Sequence, residues 1–484
     1  MHIARYILCA GLLAGVLTTA ASAQASQDSS GISLPTDAEI HQLLAARVQA
    51  LAGQQDGIGI VVGIVGPQGR RVISFGHFDQ NDSRLVNGDT DFEIGSITKV
   101  FTALLLADMV QRHEVALDDP VAKYLPPGAK IPQLHGRSIT LVDLATHTSG
   151  LPFMPAESPA PNGFDNPKDP GAPFYRFLAH YNPTHDTGWD YSNLGYWLLS
   201  QALASRAGMD YDSLLRTRVL VPLNLTHTAI TPSPKIKANL AVGHNAVLQP
   251  AQPFASAPPP YGSMAAAGGL ISSVNDLLTF LSATMGYEQS PLTPAMAAML
   301  NTRRPIGEPG EEQALGWRIS GTGDDALIFH DGATWGYASD MAWDPRNRVG
   351  VVVLSNQLED VNDIAHHLLR PEFPLAKPVP MIRRTEIKLD PALLDTYAGR
   401  YEAPGGGAFD VARNGESLTI QFPDDWGLPQ LQLHPDATAD FFSSELLLRV
   451  RFQTGPDGHV TGLLLDPPRG QHTILANRVS KPDR

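Results

Sequence analysis

The chain of 484 residues is long enough for more than one hydrophobic core, so two domains are expected. Hydrophobic residues make up 43% of the chain and charged residues 17%, a balance that excludes a mostly disordered protein. The formal net charge is −14 and no basic stripe occurs, which argues against nucleic acid as a partner.

The N-terminus has the pattern of a secretory signal peptide over residues 1–23. Arg5 supplies a positive start, residues 7–16 are apolar, and Ala-Ser-Ala at 21–23 is a typical cleavage motif. The apolar stretch is too short and too rich in Ala and Gly for a permanent membrane span. The single cysteine, Cys9, lies inside this segment, so the mature chain would have no disulfide and no cysteine-bound metal site. We therefore expect a soluble periplasmic or secreted protein.

Helical and strand patterns alternate along the next part of the chain. Apolar residues at helical spacing predict a helix over residues 37–51. Two β-rich runs at 58–65 and 72–77 flank a Gly-Pro-Gln-Gly turn, which is typical of a hairpin. Further elements are predicted in chain order: helices at 96–111, 139–146 and 194–206, and strands at 326–330, 338–343 and 349–354. Strands on both sides of a helical middle predict one sheet assembled from both ends of a domain.

Three later segments have distinct compositions. Residues 153–187 are rich in Pro, Gly and Asp around an aromatic run, and we expect them to form a loop wall beside a site. Residues 371–380 contain four prolines and are predicted to be a linker. Beyond residue 389, short strands alternate with Gly, Asp and Pro turns, which predicts a small β-barrel or sandwich.

Ser96 and Lys99 form the first element that suggests chemistry, at the start of the helix predicted at 96–111. A serine hydroxyl is a poor nucleophile until a nearby base removes its proton. Residues i and i+3 share one helix face, so the Lys99 amine can lie beside the Ser96 oxygen. Of the nine lysines in the chain, only Lys99 has a serine three residues earlier. The alternative is a serine N-cap followed by a solvated lysine.

Tyr191 and Asn193 form the second element, the only Tyr-x-Asn in the chain. A phenol near a lysine can move a proton between nucleophile and leaving group, and the amide of Asn193 can bind a substrate amide or Lys99. The alternative is a turn before a helix, with Tyr191 packed and Asn193 as the helix cap.

His330 and Gly332 form the third element, the only His-x-Gly in the chain, at the end of a predicted strand. A glycine at a strand edge lets a substrate backbone approach closely. A backbone N–H at this point, paired with that of Ser96, can form an oxyanion hole for a tetrahedral intermediate. The alternative is a buried histidine with an ordinary structural role.

These three elements, in this order, resemble those of the serine β-lactamase and penicillin-binding peptidase superfamily. The similarity is greatest to its class C-like branch, of the D-alanyl-D-alanine carboxypeptidase/endopeptidase type, and covers most of residues 36–370. Residues 389–402 resemble the start of a lipocalin-like domain. The resemblance implies an α+β fold, with an antiparallel sheet flanked by helices, a helical lobe and a small all-β barrel-like domain. The expected domains are a signal peptide at 1–23, a serine hydrolase at 24–380 and a β-domain at 385–484.

The resemblance also implies roles for single residues. Ser96 would be acylated, and Lys99 and Tyr191 would carry protons. The N–H groups of Ser96 and Ala333 would form the oxyanion hole. The substrate-binding residues would be Asn193, His330, Gly332 and Ala333. No metal ion or organic cofactor is implied, and the expected substrates are small peptides, peptidoglycan fragments or β-lactams.

One departure bears on the substrate. β-Lactamases of this branch usually have a lysine where this chain has His330, and a largely neutral imidazole holds a carboxylate less firmly than an ammonium does. The sequence therefore favours peptidase or esterase chemistry over efficient antibiotic hydrolysis. The alternatives are a promiscuous esterase or weak β-lactamase, and a non-catalytic penicillin-binding protein whose β-domain contacts a partner.

Overall fold

The structure is a computed structural model. It describes residues 34–52, 57–155, 172–183, 188–254, 264–378, 380–381, 384–404, 407–423, 430–444, 448–466 and 473–479. The predicted signal peptide at 1–23 lies outside these residues. The chain divides into one compact unit of Thr36–Arg384 and a second that contains Thr385–Arg484. Within the described ranges, no helix combines the length and the apolar character needed to cross a membrane.

The first unit contains both helices and strands. Its helices are α1 (Asp37–Ala52), α2 (Thr98–Gln111), α3 (Leu141–Ala145), α4 (Ala172–His180), α5 (Asn193–Ala207), α6 (Tyr211–Leu215), α7 (Pro234–Asn239), α8 (Ala265–Gly268), α9 (Val274–Thr284), α10 (Thr293–Met299) and α11 (Asn362–Leu369). Its strands are β1 (Gly59–Gly66), β2 (Gly69–Asp79), β3 (Asp82–Leu85), β4 (Asp91–Glu93), β5 (Gln133–Leu134), β6 (Arg137–Ser138), β7 (Ile271–Ser273), β8 (Arg304–Pro305), β9 (Glu311–Gln313), β10 (Arg318–Ser320), β11 (Leu327–Ala333), β12 (Ala338–Asp344) and β13 (Val349–Ser355).

The main sheet of the first unit has nine antiparallel strands in the order β3-β2-β1-β13-β12-β11-β10-β9-β8. The N-terminal hairpin β1–β2 therefore joins the C-terminal strands in one sheet, as the sequence predicted. In this pairing Val62 lies opposite Val353. Strands β1 and β13 are both apolar and buried. Helix α9 packs against both of them, and α11 packs against β12 and β13. Gly63 allows α9 to approach, since a Cβ there would overlap Val274.

The helical lobe is built around α2. Nearly every side chain of α2 is buried, because α5, α8 and α10 all pack against it. A helix that is apolar on all sides is typical of a central core position. Ser96, predicted at the start of this helix, lies in the turn just before it, so the predicted nucleophile adjoins a helix that is buried on all sides.

Three segments differ from the sequence-based expectation. The expected loop wall contains α4, which places Phe174 in the core. Strand β11 continues three residues past the predicted end at His330, because it pairs with β12 as far as Ala333. The proline-rich segment is part of the first unit: Ala376 N–H donates to Asp363 Oδ2 at 2.8 Å, and Ala376 O accepts from Arg47 at 3.4 Å. It is therefore not a free linker.

The second unit is a closed barrel, as the sequence predicted. The strands follow each other around it in chain order: β14 (Gly399–Glu402), β15 (Ala408–Asn414), β16 (Ser417–Gln421), β17 (Leu431–Pro435), β18 (Asp440–Phe442), β19 (Arg449–Thr454), β20 (Val460–Asp466) and β21 (Ile474–Val479). Alternating side chains face an apolar core that includes Tyr401, Phe409 and Phe441. A short helix, α12 (Pro391–Tyr397), precedes the barrel, and its Leu394 and Tyr397 join this core.

Candidate active site

Ser96 lies in a 3₁₀ turn, Gly95–Ile97, between β4 and α2. Gly95 has φ +48°, and a Cβ there would lie 2.6 Å from Ala333 N, so only glycine fits this position. The hydroxyl of Thr98 donates to Gly95 O at 2.6 Å and accepts from Leu270 N–H at 3.1 Å. These contacts fix the turn at the N-terminus of α2, where the helix dipole favours developing negative charge.

The Lys99 side chain is fully buried, and its amine lies at the centre of the site. Its Nζ is 2.9 Å from Ser96 Oγ, 2.7 Å from Asn193 Oδ1 and 2.6 Å from Ala267 O. A neutral amine has two hydrogens and one lone pair, so it can donate to Asn193 and Ala267 while it accepts from the Ser96 hydroxyl. The same positions therefore serve the charged and the neutral amine, and the solvated-lysine alternative is wrong.

Tyr191 and Asn193 lie on either side of the residue that caps α5. The cap is Ser192, whose Oγ accepts from Gly195 N–H at 2.8 Å, so the alternative of Asn193 as the cap is wrong. Asn193 instead turns its amide oxygen to Lys99. The Lys99 Nζ lies 4.8 Å from the centroid of the Tyr191 ring, close enough for a cation–π contact.

His147 is a buried residue of the site that the sequence analysis did not identify. Its carbonyl accepts from Asp190 N–H at 2.8 Å and its Nδ1 accepts from Ser192 N–H at 3.0 Å. The imidazole also stacks on the Tyr191 ring, with centroids 4.2 Å apart. Both chain neighbours of Tyr191 are thus hydrogen-bonded to one residue. Burial, followed by the positive charge of Lys99, lowers the pKa of His147 well below its ordinary value.

His330 is buried on β11, beside the Tyr191 ring at a centroid distance of 6.4 Å. Its Nδ1 lies 2.6 Å from Asp331 O, which can only accept, so the ring carries its proton on Nδ1. Burial, followed by the charge of Lys99, lowers the pKa of His330 to about 3. The imidazole is therefore neutral near pH 7 and cannot supply the positive charge of a lysine.

Gly332 and Ala333 bring β11 against the nucleophile turn, which is the turn Gly95–Ile97 that contains Ser96. A Cβ on Gly332 would overlap Ile94 O and lie 3.0 Å from Ser96 N, so the close approach requires glycine. Ala333 follows as an exposed residue whose backbone N lies beside Gly95. The seven residues singled out from the sequence therefore form one connected group of contacts.

Arg318, on β10, is a second residue that the sequence analysis missed. It is buried, and its charge contributes to the lowered pKa values of both His147 and His330. Its guanidinium carbon lies 6.0 Å from the Trp189 ring and 5.4 Å from the Phe329 ring. The strand next to β11 thus brings a buried positive charge close to the neutral histidine.

The described part of the chain contains no group of three or more His, Cys, Asp or Glu side chains that could hold a metal ion. The polar groups of the site are instead a hydroxyl, an amine, a phenol and an amide, with backbone N–H groups beside them. This set can perform nucleophilic and acid–base chemistry at a carbonyl carbon.

Family models match both units of the chain. A Beta-lactamase family model matches residues 44–371, and a model of a domain of unknown function (DUF3471) matches residues 383–476. D-alanyl-D-alanine-carboxypeptidase/endopeptidase AmpH of Escherichia coli K12 is 28% identical over 320 residues, which are 58% of this chain and 77% of that protein. A β-lactamase of Pseudomonas fluorescens is 25% identical over 66% of this chain and 94% of its own length.

Two solved structures have the same fold as the first unit. A class C β-lactamase from Rhodobacter sphaeroides is 26% identical, with a TM-score of 0.56. The match covers 65% of this chain and 94% of the Rhodobacter chain. A β-lactamase/D-alanine carboxypeptidase from Pseudomonas syringae is 22% identical, with a TM-score of 0.59, covers 70% of this chain and 99% of that chain, and supports the fold alone. Since the family model spans more than half of the chain, this protein belongs to the β-lactamase family of serine hydrolases.

Proposed function

We propose that this protein is an exported serine peptidase of the D-alanyl-D-alanine carboxypeptidase/endopeptidase type, which cleaves amide bonds through an acyl-enzyme on Ser96. The observation that carries the proposal is the buried Lys99 amine, 2.9 Å from Ser96 Oγ. The similarity to AmpH supports the substrate class. The secretion pattern of residues 1–23 supports export.

The proposed reaction begins with neutral Lys99. Its amine takes the hydroxyl proton as Ser96 Oγ attacks the substrate carbonyl, and the N–H groups of Ser96 and Ala333 stabilise the negative oxygen of the tetrahedral intermediate. Tyr191 passes a proton to the leaving amine, so that the C–N bond breaks and the ester on Ser96 remains. The Lys99 ammonium returns a proton to Tyr191, and a water molecule then attacks the ester carbonyl while Lys99 accepts the proton of the water. The bond between the acyl carbon and Ser96 Oγ breaks, Lys99 returns that proton to Ser96, and the carboxylic acid product leaves.

The charges on the side of the site where the leaving group would lie favour a peptide that ends in a free carboxylate. His330 is neutral, because burial lowers its pKa to about 3. After Lys99, Arg318 is the second cation that lowers the pKa of both His147 and His330. Its guanidinium lies 3.8 Å from the Glu311 carboxylate, and arginine binds carboxylates through two parallel N–H donors. We propose that Arg318 binds the terminal carboxylate of the leaving D-alanine and that the Asn193 amide hydrogen-bonds to the substrate peptide bond.

A second candidate is β-lactam hydrolysis, which the similarity to the Pseudomonas fluorescens enzyme favours. It uses the same acylation of Ser96 and differs in how fast the acyl-enzyme is hydrolysed. A non-catalytic penicillin-binding role is less well supported, because the Lys99 amine lies within hydrogen-bonding distance of both Ser96 and Asn193, as catalysis requires.

The test is to incubate the purified mature chain with muropeptides and a D-Ala-D-Ala peptide, alongside nitrocefin and a p-nitrophenyl ester. We expect release of D-alanine or cleavage of cross-links, a mass adduct on Ser96 after penicillin treatment, and neither with Ser96→Ala. Fast nitrocefin turnover without D-alanine release would favour the β-lactamase instead. An adduct that forms and is never hydrolysed would favour the penicillin-binding role.

A further inference from the structure

The two donors of the proposed oxyanion hole belong to separate segments. Ser96 N–H comes from the turn after β4, and Ala333 N–H comes from the last residue of β11. Both must lie about 2.7–3.1 Å from the developing oxyanion, so the spacing of the two segments has little tolerance. Something other than the substrate must hold that spacing.

Ser339, on β12, lies between these two segments. It is buried, and its Oγ is 2.9 Å from Ile94 O and 3.2 Å from Gly332 O. Ile94 lies two residues before Ser96, and Gly332 lies one residue before Ala333. A hydroxyl has one hydrogen, so Ser339 shares it between these two carbonyls, and Ile94 O also accepts from Ile97 N–H at 3.2 Å.

We propose that Ser339 is the positioning residue that sets the spacing of the oxyanion hole, an inference that rests on the proposed acylation of Ser96. Ser339 touches neither the nucleophile oxygen nor the lysine amine. Its effect on the reaction passes through the backbone of Ile94 and Gly332. Removing its hydroxyl removes the hydrogen bond that joins these two segments, so the spacing of the N–H groups of Ser96 and Ala333 is no longer held by β12.

Glu93 supports the same pair of segments. It lies next to Ile94 and is buried, and its Oε1 accepts from Phe254 N–H at 2.7 Å. Its carboxyl also faces the hydroxyl of Thr334, the residue after Ala333. The Ser339 hydroxyl thus joins the nucleophile turn to the end of β11 just before Ala333, and the Glu93 carboxyl lies near the residue just after it.

The test compares an ester substrate with the corresponding thionoester. The sulfur of a C=S group accepts hydrogen bonds weakly, so a thionoester gains much less from an oxyanion hole than an ester does. With Ser339→Ala we expect kcat/KM for the ester to fall about 10–100-fold and that for the thionoester to fall less than about threefold. The ratio of the two constants therefore reports on the hole and not on general damage.

Ser355→Ala is the matched control. Its hydroxyl is also buried in the main sheet, where it donates to Gly59 O at 3.0 Å, and its loss should leave the ratio unchanged. If Ser339→Ala does not fold, Ser339→Cys keeps the shape with a weaker donor and should lower the ratio in the same direction. An ester-to-thionoester ratio in the Ser339 variants equal to that of the unmodified protein overturns the inference. An unmodified protein in which Ser96 is never acylated overturns the proposed function instead.

Discussion

The two units of this protein differ in what they bury. Ionisable side chains that include Glu93, Lys99 and His330 are buried in the first unit around the nucleophile turn. In the described part of the barrel, the buried polar groups are the hydroxyls of Ser417, Ser443, Tyr397 and Tyr401, and no carboxylate, amine or imidazole is buried there. Burial of an ionisable group costs free energy that apolar packing does not. The first unit therefore carries groups that are unfavourable for stability where the proposed chemistry takes place, and the barrel core does not.

The largest expected effect comes from removing the buried amine. Lys99→Met keeps the volume of the side chain but removes the proposed base, so we expect acylation of Ser96 to slow about 10³-fold. The measurement is the rate of the mass adduct with penicillin, together with Tm. Lys388→Met, at an exposed lysine of the second unit that pairs with Glu416, is the control and should change the rate less than about twofold. Equal rates for the two variants would contradict the role of Lys99.

A smaller effect is expected from Arg318→Gln. Loss of a charged hydrogen-bonding partner lowers kcat/KM about 10–100-fold for a peptide that ends in a free carboxylate. The same peptide with a C-terminal amide should lose less than about threefold. Arg346→Gln, at an exposed arginine paired with Asp325, serves as the control. Equal losses on both peptides would show that Arg318 only supports the fold.

His147 makes two contacts with the Tyr191 segment, a ring stack and a hydrogen bond, and two substitutions test them separately. His147→Phe keeps the ring that stacks on Tyr191 and loses the acceptor for Ser192 N–H, so we expect kcat/KM to fall about tenfold. His147→Asn keeps an acceptor and should lose less than the phenylalanine variant. Steady-state kinetics and Tm are measured for both. A larger loss in the asparagine variant would assign the effect to ring stacking.

Features that depend on local spacing were accessible from the sequence. The hairpin β1–β2, the helix that carries Lys99 one turn after Ser96, and the alternating strands of the barrel all have a short-range pattern. His147 and Arg318 have no such pattern. Their importance arises from hydrogen bonds between two distant loops and from the pairing of β10 with β11, which only the folded chain brings together.

The errors at element ends have similar causes. Residues 331–333 have turn-like composition, yet cross-strand pairing with β12 keeps them extended. Proline and glycine around α4 favour a loop on composition alone, yet Pro173 lies in the first turn of the helix, where proline is tolerated. In both segments, the end of β11 and helix α4, tertiary contacts determine the structure and local composition does not.

The last and smallest effects are on stability, and they have opposite signs for two buried groups of the first unit. His330 has a pKa of about 3 when folded, below the ordinary 6.5, so between these values the unfolded chain binds the extra proton and the free energy of unfolding falls as pH falls. Burial raises the pKa of Glu93 from 4.5 to about 7, so there the folded chain holds the extra proton and the free energy of unfolding falls as pH rises.

Urea unfolding at pH 5 and pH 7 measures these two contributions. We expect His330→Gln to reduce the loss of stability on acidification, and Glu93→Gln to reduce the loss on going from pH 5 to pH 7, each by about 2 kcal/mol. Tyr397→Phe, which removes a hydroxyl donating to Thr438 O at 2.8 Å in the barrel, should cost about 1 kcal/mol at both pH values. A pH dependence altered equally by all three variants would mean that the two units do not differ in the way their buried groups indicate.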